Sequence, residues 1–288
     1  MKSKPTILII GGSGFIGNYI AKSLVNKGYS VISTYRTKPR PEEMVEGVVY
    51  REKFNLEPEL IGNIQTVIFA PRPDDPATAA EAFNYFNQLP KLEKVVYLST
   101  FGLYPDSLEK QTESAEIVPV TEYQKKKYTE EISFTEFLQK QNLKLCIARI
   151  SNPYGDVRDK QLIGKIIRQF KYEEEDFKLN GDGNQLKDFI FIEDAAELIS
   201  FLVGYQQETA CEIFNVCSGE GHSVNEAVDV LENLLGKKLV FKQAALPDGE
   251  KINSIGDNTK IISMSNYHIR YSLVDGLKKA LDNYKKHS

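Results

Sequence analysis

The run Thr6–Ile10 is apolar and largely β-branched, and it passes straight into Gly11-Gly12-Ser13-Gly14-Phe15-Ile16-Gly17, behind which a helical spacing of apolar residues begins. Few folds place glycines this way between a first strand and a first helix. Gly11 can take the tight turn out of the strand, Gly14 lets the backbone approach a pyrophosphate, and Gly17 lets the helix pack closely on the strand. The helix N-terminus adds N–H donors and a partial positive charge. A glycine-rich turn that binds nothing is the plain alternative. Its place ahead of an alternating chain predicts a nucleotide site formed by Gly11, Ser13, Gly14, Phe15, Ile16 and Gly17.

Short apolar runs recur at residues 30–34, 48–50, 66–70, 94–99 and 144–149, separated by helical patterns at 16–27, 78–89 and 122–141. This alternation predicts an α/β fold with a doubly wound, mainly parallel sheet of the Rossmann type. Beyond Arg149 the pattern loosens, with turn signals at Asn152-Pro153-Tyr154-Gly155 and Gly181-Asp182-Gly183-Asn184. Helical spacing returns at residues 162–172, 194–205, 224–235 and 273–285. The expected organisation is a nucleotide-binding domain over residues 1–150, with 189–212 returning to it. Residues 151–288 then form mainly a smaller substrate-binding lobe at the carboxyl edge of the sheet.

Composition narrows the function classes. The 288 residues carry 36 Lys and Arg against 40 Asp and Glu, a net charge of -4, so no global field draws the chain to nucleic acid or an anionic membrane. Cys146, Cys211 and Cys217 form no CxxC pair, and His222, His268 and His287 share no ligand spacing, so neither a disulfide scaffold nor a metal site is expected. A reducing cytoplasm fits these cysteines. The first apolar stretch breaks at Gly11, too early for a signal-peptide core, and no uncharged run reaches the roughly 18 residues of a membrane span. The expectation is a soluble, unprocessed protein.

Where NAD-binding chains carry an acidic residue for the adenosine ribose, this one reads Ser33-Thr34-Tyr35-Arg36-Thr37-Lys38-Pro39-Arg40. A carboxylate would repel a ribose 2'-phosphate, whereas Arg36 can fork onto it and Lys38 or Arg40 can add charge. NADPH is the expected cofactor, with NAD as the alternative and a solvated basic loop as the plain reading. Downstream, Tyr123 and Lys127 lie one helical turn apart. An ordinary tyrosine, with a pKa of about 10, is a poor acid-base catalyst near neutrality, and a neighbouring ammonium favours its phenolate. Alone the pair is weak, because Lys125, Lys126 and Tyr128 show how readily such spacings arise. The segment Leu98-Ser99-Thr100-Phe101-Gly102-Leu103-Tyr104, at the end of a predicted strand, adds a hydroxyl and completes a candidate Thr-Tyr-Lys triad.

With these motifs the chain resembles the extended short-chain dehydrogenase/reductase family, the NAD-dependent epimerases, dehydratases and reductases acting mostly on nucleotide sugars. Ser99–Tyr104 is similar to the family's SSxxxY segment, with Thr100 at the catalytic hydroxyl. Arg149-Ile150-Ser151-Asn152-Pro153-Tyr154-Gly155 is similar to RxxNxYG, and Gly181-Asp182-Gly183 with Lys187-Asp188-Phe189 to GDG followed by RDF. Asn215 falls in a late family segment. The resemblance implies cofactor contacts at Tyr35, Arg36, Asn55, Leu56, Ala70, Pro71, Tyr123 and Lys127, the last on the nicotinamide ribose. It implies substrate contacts at Asn152 and Lys187, and a homodimer formed through the helices that begin near Thr78 and Glu122.

Departures from the family pattern select among its reactions. Dehydratases follow the catalytic Thr with Asp and Glu, but Phe101 and Gly102 stand here, so loss of water lacks its acid and base. Neither the added Cys nor the His of the 3,5-epimerising branch is present. The expected activity is NADPH-dependent reduction of a keto sugar nucleotide, a nucleoside-diphosphate 4-keto-6-deoxyhexose. Alternatives are a 4-epimerase with tightly bound NAD and, from another class, a non-catalytic NADP-sensing or scaffold protein.

Overall fold

The computed structural model describes residues 5–70, 76–172 and 178–286. By their contacts the residues group into two compact units. The first comprises Met1–Thr100, Lys125–Arg149 and Ala196–Phe214, and the second Phe101–Gln124, Ile150–Ala195 and Asn215–Ser288.

The first unit is built on β1 (Thr6–Ile10), β2 (Ser30–Tyr35), β3 (Val48–Glu52), β4 (Ile64–Phe69), β5 (Lys94–Thr100) and β6 (Lys144–Ile150). Its helices are α1 (Phe15–Asn26), the single turn α2 (Pro58–Ile61), α3 (Pro76–Phe86) and α4 (Glu122–Lys140). The seven-stranded sheet runs in the order β3, β2, β1, β4, β5, β6 and the strand Cys211–Val216. Pairing is parallel from β3 through β5. This is the doubly wound Rossmann-type order expected from the sequence, with the chain reversing direction across the sheet between β1 and β4. Ile7 to Ile10 are almost wholly buried, as continuous apolar strands must be when helices cover both faces.

Two of these helices end where the backbone turns left-handed. Past α1 the chain turns at Gly28, whose φ of +78° suits glycine, and past α4 it turns at Asn142, with φ +55°. Inward, α4 buries Phe134 and Leu138 one turn apart. The Phe134 ring lies 4.8 Å from Phe69 and 4.7 Å from Tyr97 by centroids, which fastens α4 to β4 and β5. Burying each such ring or leucine contributes about 1.5–3 kcal/mol.

In the second unit short strand pairs replace a large sheet. Asn152–Tyr154 runs parallel to Phe189–Phe191, and Leu186–Lys187 lies between His222–Ser223 and Asn253–Ser254. The helix Val224–Leu235 is capped by the Ser223 hydroxyl, which accepts from the Glu226 N–H, and it ends at Gly236 with φ +67°. At the centre Asp188, fully buried, accepts hydrogen bonds from the Ser218 N–H and hydroxyl, the Gly219 N–H and the Ser151 hydroxyl. These donors hold a carboxylate whose burial pushes its pKa up.

The sequence reading keeps Phe101–Gln124 with residues 1–150, whereas its contacts group it with the second unit. Lys251 donates to the Gly102 and Tyr104 carbonyls, and Asp106 accepts the Ile252 and Asn253 N–H groups. Those partners lie about 150 residues further along the chain, beyond the reach of any local pattern.

Candidate active site

The β1–α1 loop is shaped by its glycines. Gly11 has φ +85°, and its N–H donates to the Thr34 hydroxyl at 3.1 Å, while the Gly14 N–H closes a turn onto the Gly11 carbonyl. A Cβ on Gly17 would sit 2.6 Å from the Gly11 oxygen and 2.7 Å from the Gly12 Cα, so the first turn of α1 lies directly on the loop. Gly12, which the glycine spacing does not mark, is equally constrained, since a Cβ there would meet the Ser33 side chain.

Gly14 is the N-cap of α1 and brings no side-chain cap, which leaves the first-turn N–H groups of Phe15 and Ile16 without a side-chain acceptor. An anionic group against this terminus would satisfy them, so the loop fits a pyrophosphate. It lies at the end of β1, beside the point where the strand order reverses.

Around this loop, Tyr35 ends β2 partly buried and Arg36 is exposed. Arg40 is engaged elsewhere: its guanidinium bonds Glu43 at 2.9 Å and reaches Glu42 at 3.3 Å. Asn55 is exposed, and Leu56 is buried in the core cluster. Ala70 continues the β4 ladder by donating to the Ile10 carbonyl at 2.9 Å. Pro71 lies outside the described residues.

Thr100 is the last residue of β5, at the carboxyl edge of the sheet. Phe101 after it is buried with its ring 4.8 Å from Tyr104. On α4, Tyr123 is 49% exposed and Lys127 only 4%. Lys127 Nζ donates to the Leu98 carbonyl at 3.1 Å, two residues before Thr100 on β5. It also reaches Tyr97 Oη at 3.2 Å and Glu130 Oε2 at 3.3 Å. The lysine is thus brought onto the strand that ends in Thr100, and Tyr123 sits one helical turn before it.

Asn152 and Lys187 are turned to protein partners. The Asn152 amide donates to the Asp188 carbonyl at 2.9 Å, and Lys187 Nζ pairs with Glu250 and donates to the Lys251 carbonyl. Lys251 lies in none of the sequence motifs. Burial, with the Lys187 charge nearby, pushes its pKa down to about 8. Nothing in the sequence around it marks it, because its acceptors are backbone carbonyls of a distant turn. Asn215 accepts from the buried Tyr104 hydroxyl at 2.8 Å and donates to the Gln111 carbonyl.

Among the described residues no cluster of His, Cys, Asp or Glu is arranged to hold a metal ion, and no helix is long and apolar enough to cross a membrane.

The model of the NAD dependent epimerase/dehydratase family matches residues 7–65 and 77–217. A protein of Methanocaldococcus jannaschii, provisionally assigned as a UDP-glucose 4-epimerase, is 24% identical over 98% of this chain and 99% of its own length. The dTDP-4-dehydro-6-deoxyglucose reductase of Escherichia coli is 26% identical over 83% of this chain and 84% of its own. Among solved structures, UDP-glucuronic acid 4-epimerase from Bacillus cereus, in complex with UDP-glucuronic acid and NAD, superposes with a TM-score of 0.83. It covers 98% of this chain and 100% of that one at 21% identity, a likeness of fold.

Proposed function

This chain belongs to the NAD dependent epimerase/dehydratase family, and from that premise we propose that it is an NADPH-dependent reductase of a keto sugar nucleotide, a nucleoside-diphosphate 4-keto-6-deoxyhexose. The observation that carries the reading is the end of β2, where Tyr35 is followed by the exposed Arg36 and the run from Ser33 to Arg40 contains no Asp or Glu. A 2'-phosphate is welcome beside Arg36, and this segment itself offers a bare ribose no acidic acceptor. A net reduction draws on a reduced cofactor pool, which NADPH represents, whereas an epimerase regenerates its own NAD.

In this reading the first-turn N–H groups of α1 and the Gly11–Gly17 loop hold the pyrophosphate, and Arg36 holds the 2'-phosphate. When bound, the reduced nicotinamide supplies the hydride. Tyr123 gives its hydroxyl proton to the oxygen of the carbonyl being reduced, so carbonyl, hydride and proton become an alcohol. Thr100 donates a hydrogen bond to the same oxygen and polarises it. Lys127 places its positive charge one turn from Tyr123 and holds the nicotinamide ribose. Asn152 and Lys187 contact the substrate diphosphate, for which Lys187 exchanges its partner Glu250. Pairing of two copies through α3 and α4 belongs to the same proposal.

The second reading, a 4-epimerase with tightly held NAD, is favoured by the likeness to the M. jannaschii protein. Denaturing the purified protein and identifying any released nucleotide separates the two, followed by a panel of keto sugar nucleotides assayed with NADPH and NADH side by side. Reversible NADPH binding with stoichiometric oxidation supports reduction. Stoichiometric NAD in the purified protein, with interconversion of sugar nucleotides and no net oxidation, replaces it with epimerisation. A chain that binds NADPH and turns over no sugar nucleotide would leave the non-catalytic alternative.

A further inference from the structure

Tyr97 poses a question that its packing does not answer. The side chain is wholly buried, its ring 4.7 Å from Phe134 and 6.2 Å from Phe69 by centroids, in a core where phenylalanine would fill the same space. A hydroxyl in such a place needs a partner. Tyr97 Oη donates to Glu130 Oε2 at 2.6 Å and accepts from Lys127 Nζ at 3.2 Å. Lys127 in turn reaches Glu130 at 3.3 Å, which closes a three-membered ring of hydrogen bonds. The Leu98 carbonyl accepts from the same ammonium at 3.1 Å.

We propose that Glu130 and Tyr97 are positioning residues, which act through Lys127 by holding its ammonium on β5 beside the strand end that carries Thr100. Each member of the ring constrains the next. Tyr97 cannot swing, because the aromatic core holds its ring, and a hydroxyl that gives its one proton to Glu130 presents only lone pairs to Lys127. Glu130 lies three residues beyond Lys127 on α4 and so faces the same way. The adjacent carboxylate, Glu131, is taken at both oxygens by Arg149, which leaves Glu130 as the α4 carboxylate that meets the lysine. The ring exchanges the many rotamers of a lysine for one placement, the preorganisation that a charge serving a neighbouring reaction needs.

The link to turnover rests on the functional reading above, whereas the placement of Lys127 does not, and the experiment separates them. Reductive methylation of the full-length protein with formaldehyde and cyanoborohydride, followed by peptide mass spectrometry, reports the access of each lysine. Lys94, buried and anchored on the Leu202 carbonyl away from Glu130, is the internal control. Glu130→Gln and Tyr97→Phe are expected to raise the Lys127 labelling rate about tenfold while Lys94 stays unchanged, as loss of a charge-assisted contact implies. Glu130→Asp should restore part of the protection. Unchanged Lys127 labelling, or a rise shared with Lys94, overturns the proposal. In a reductase assay both variants should lower kcat about tenfold in a wild-type background and have no further effect in Lys127→Met. An equal loss in Lys127→Met overturns the action through lysine, and absence of any reductase activity refutes the functional reading while the labelling still decides the positioning.

Discussion

Arg149 and Glu131 meet through two parallel hydrogen bonds, Nε to Oε1 at 3.0 Å and Nη2 to Oε2 at 2.7 Å, and both side chains are buried. The pair ties β6 to α4 four residues beyond Lys127. Removing one partner leaves a buried charge uncompensated, so Arg149→Met is expected to lower the unfolding free energy by about 3–5 kcal/mol. Arg149→Met combined with Glu131→Leu should recover part of that loss. Urea titrations of the variants decide it, and a loss below about 1 kcal/mol for the single change would show the pair to be dispensable.

Gly17→Ala puts a methyl group against the backbone of Gly11 and Gly12, where no flexible side chain can yield. The first turn of α1 must move away from the loop. Weakening of NADPH binding by at least about tenfold is expected, the equivalent of one or two lost backbone contacts. Gly236→Ala is the comparison. It has open space around it and φ +67°, so it should cost about 1–2 kcal/mol of stability and leave the cofactor untouched. Fluorescence titration with NADPH measures both.

Arg36 and Arg40 should behave differently although both follow β2. Arg36→Ala is expected to raise the KM for NADPH about 10- to 100-fold with little change for NADH, since a charge-assisted contact is lost. Arg40 is already engaged by Glu42 and Glu43, so Arg40→Ala should change neither KM appreciably. Tyr35→Asp should shift preference toward NADH. Equal effects of Arg36→Ala on the two cofactors would count against the NADPH assignment.

Tyr123→Phe removes one hydroxyl from a half-exposed position. If that hydroxyl is the proton donor, kcat falls by about 10²–10⁴ while NADPH binding persists. Thr100→Ala should cost less, because a hydrogen bond polarises the substrate without transferring a proton, and Thr100→Ser should be nearly neutral. Turnover that hardly moves in Tyr123→Phe would remove the tyrosine from the mechanism.

Asp159 carries a pH dependence. It is buried and accepts the Gln161 and Gly164 N–H groups, and burial pushes its pKa up to about 7. An unfolded aspartate titrates at about 3.9, so the folded chain holds this proton more tightly. This contribution to stability is therefore greatest at acid pH, falls as pH rises from about 4 to 7, and levels off above 7. Asp159→Asn should flatten that slope. Unfolding midpoints at about pH 5 and 8 provide the comparison, and parallel wild-type and variant profiles would remove the assignment.

Much of the first unit was legible because its signals are local. The apolar run of β1, the glycines behind it and the spacing of α1 lie within 21 consecutive residues, Thr6 to Asn26, and the observed helix differs from the expected 16–27 by one residue at each end. The same holds for β5 and α4, which carry Thr100, Tyr123 and Lys127. By contrast the strand Cys211–Val216, at one edge of the sheet, was not among the predicted strands. Its first three residues are only partly buried and it includes Glu212 and Asn215, so no continuous apolar run announces it.

The sequence by itself determined which residues could do chemistry and where the chain had to turn, because hydroxyls, amines and glycine dihedrals are properties of single residues and short runs. Tertiary structure alone decided what each charge faces. Lys187 meets Glu250 from 63 residues away, Arg149 meets Glu131 across 18, and Tyr97 reaches Glu130 across 33. A charge buried in a core is held by whichever opposite charge or dipole the packing delivers to it, and that delivery is set by contacts between elements rather than by any spacing along the chain.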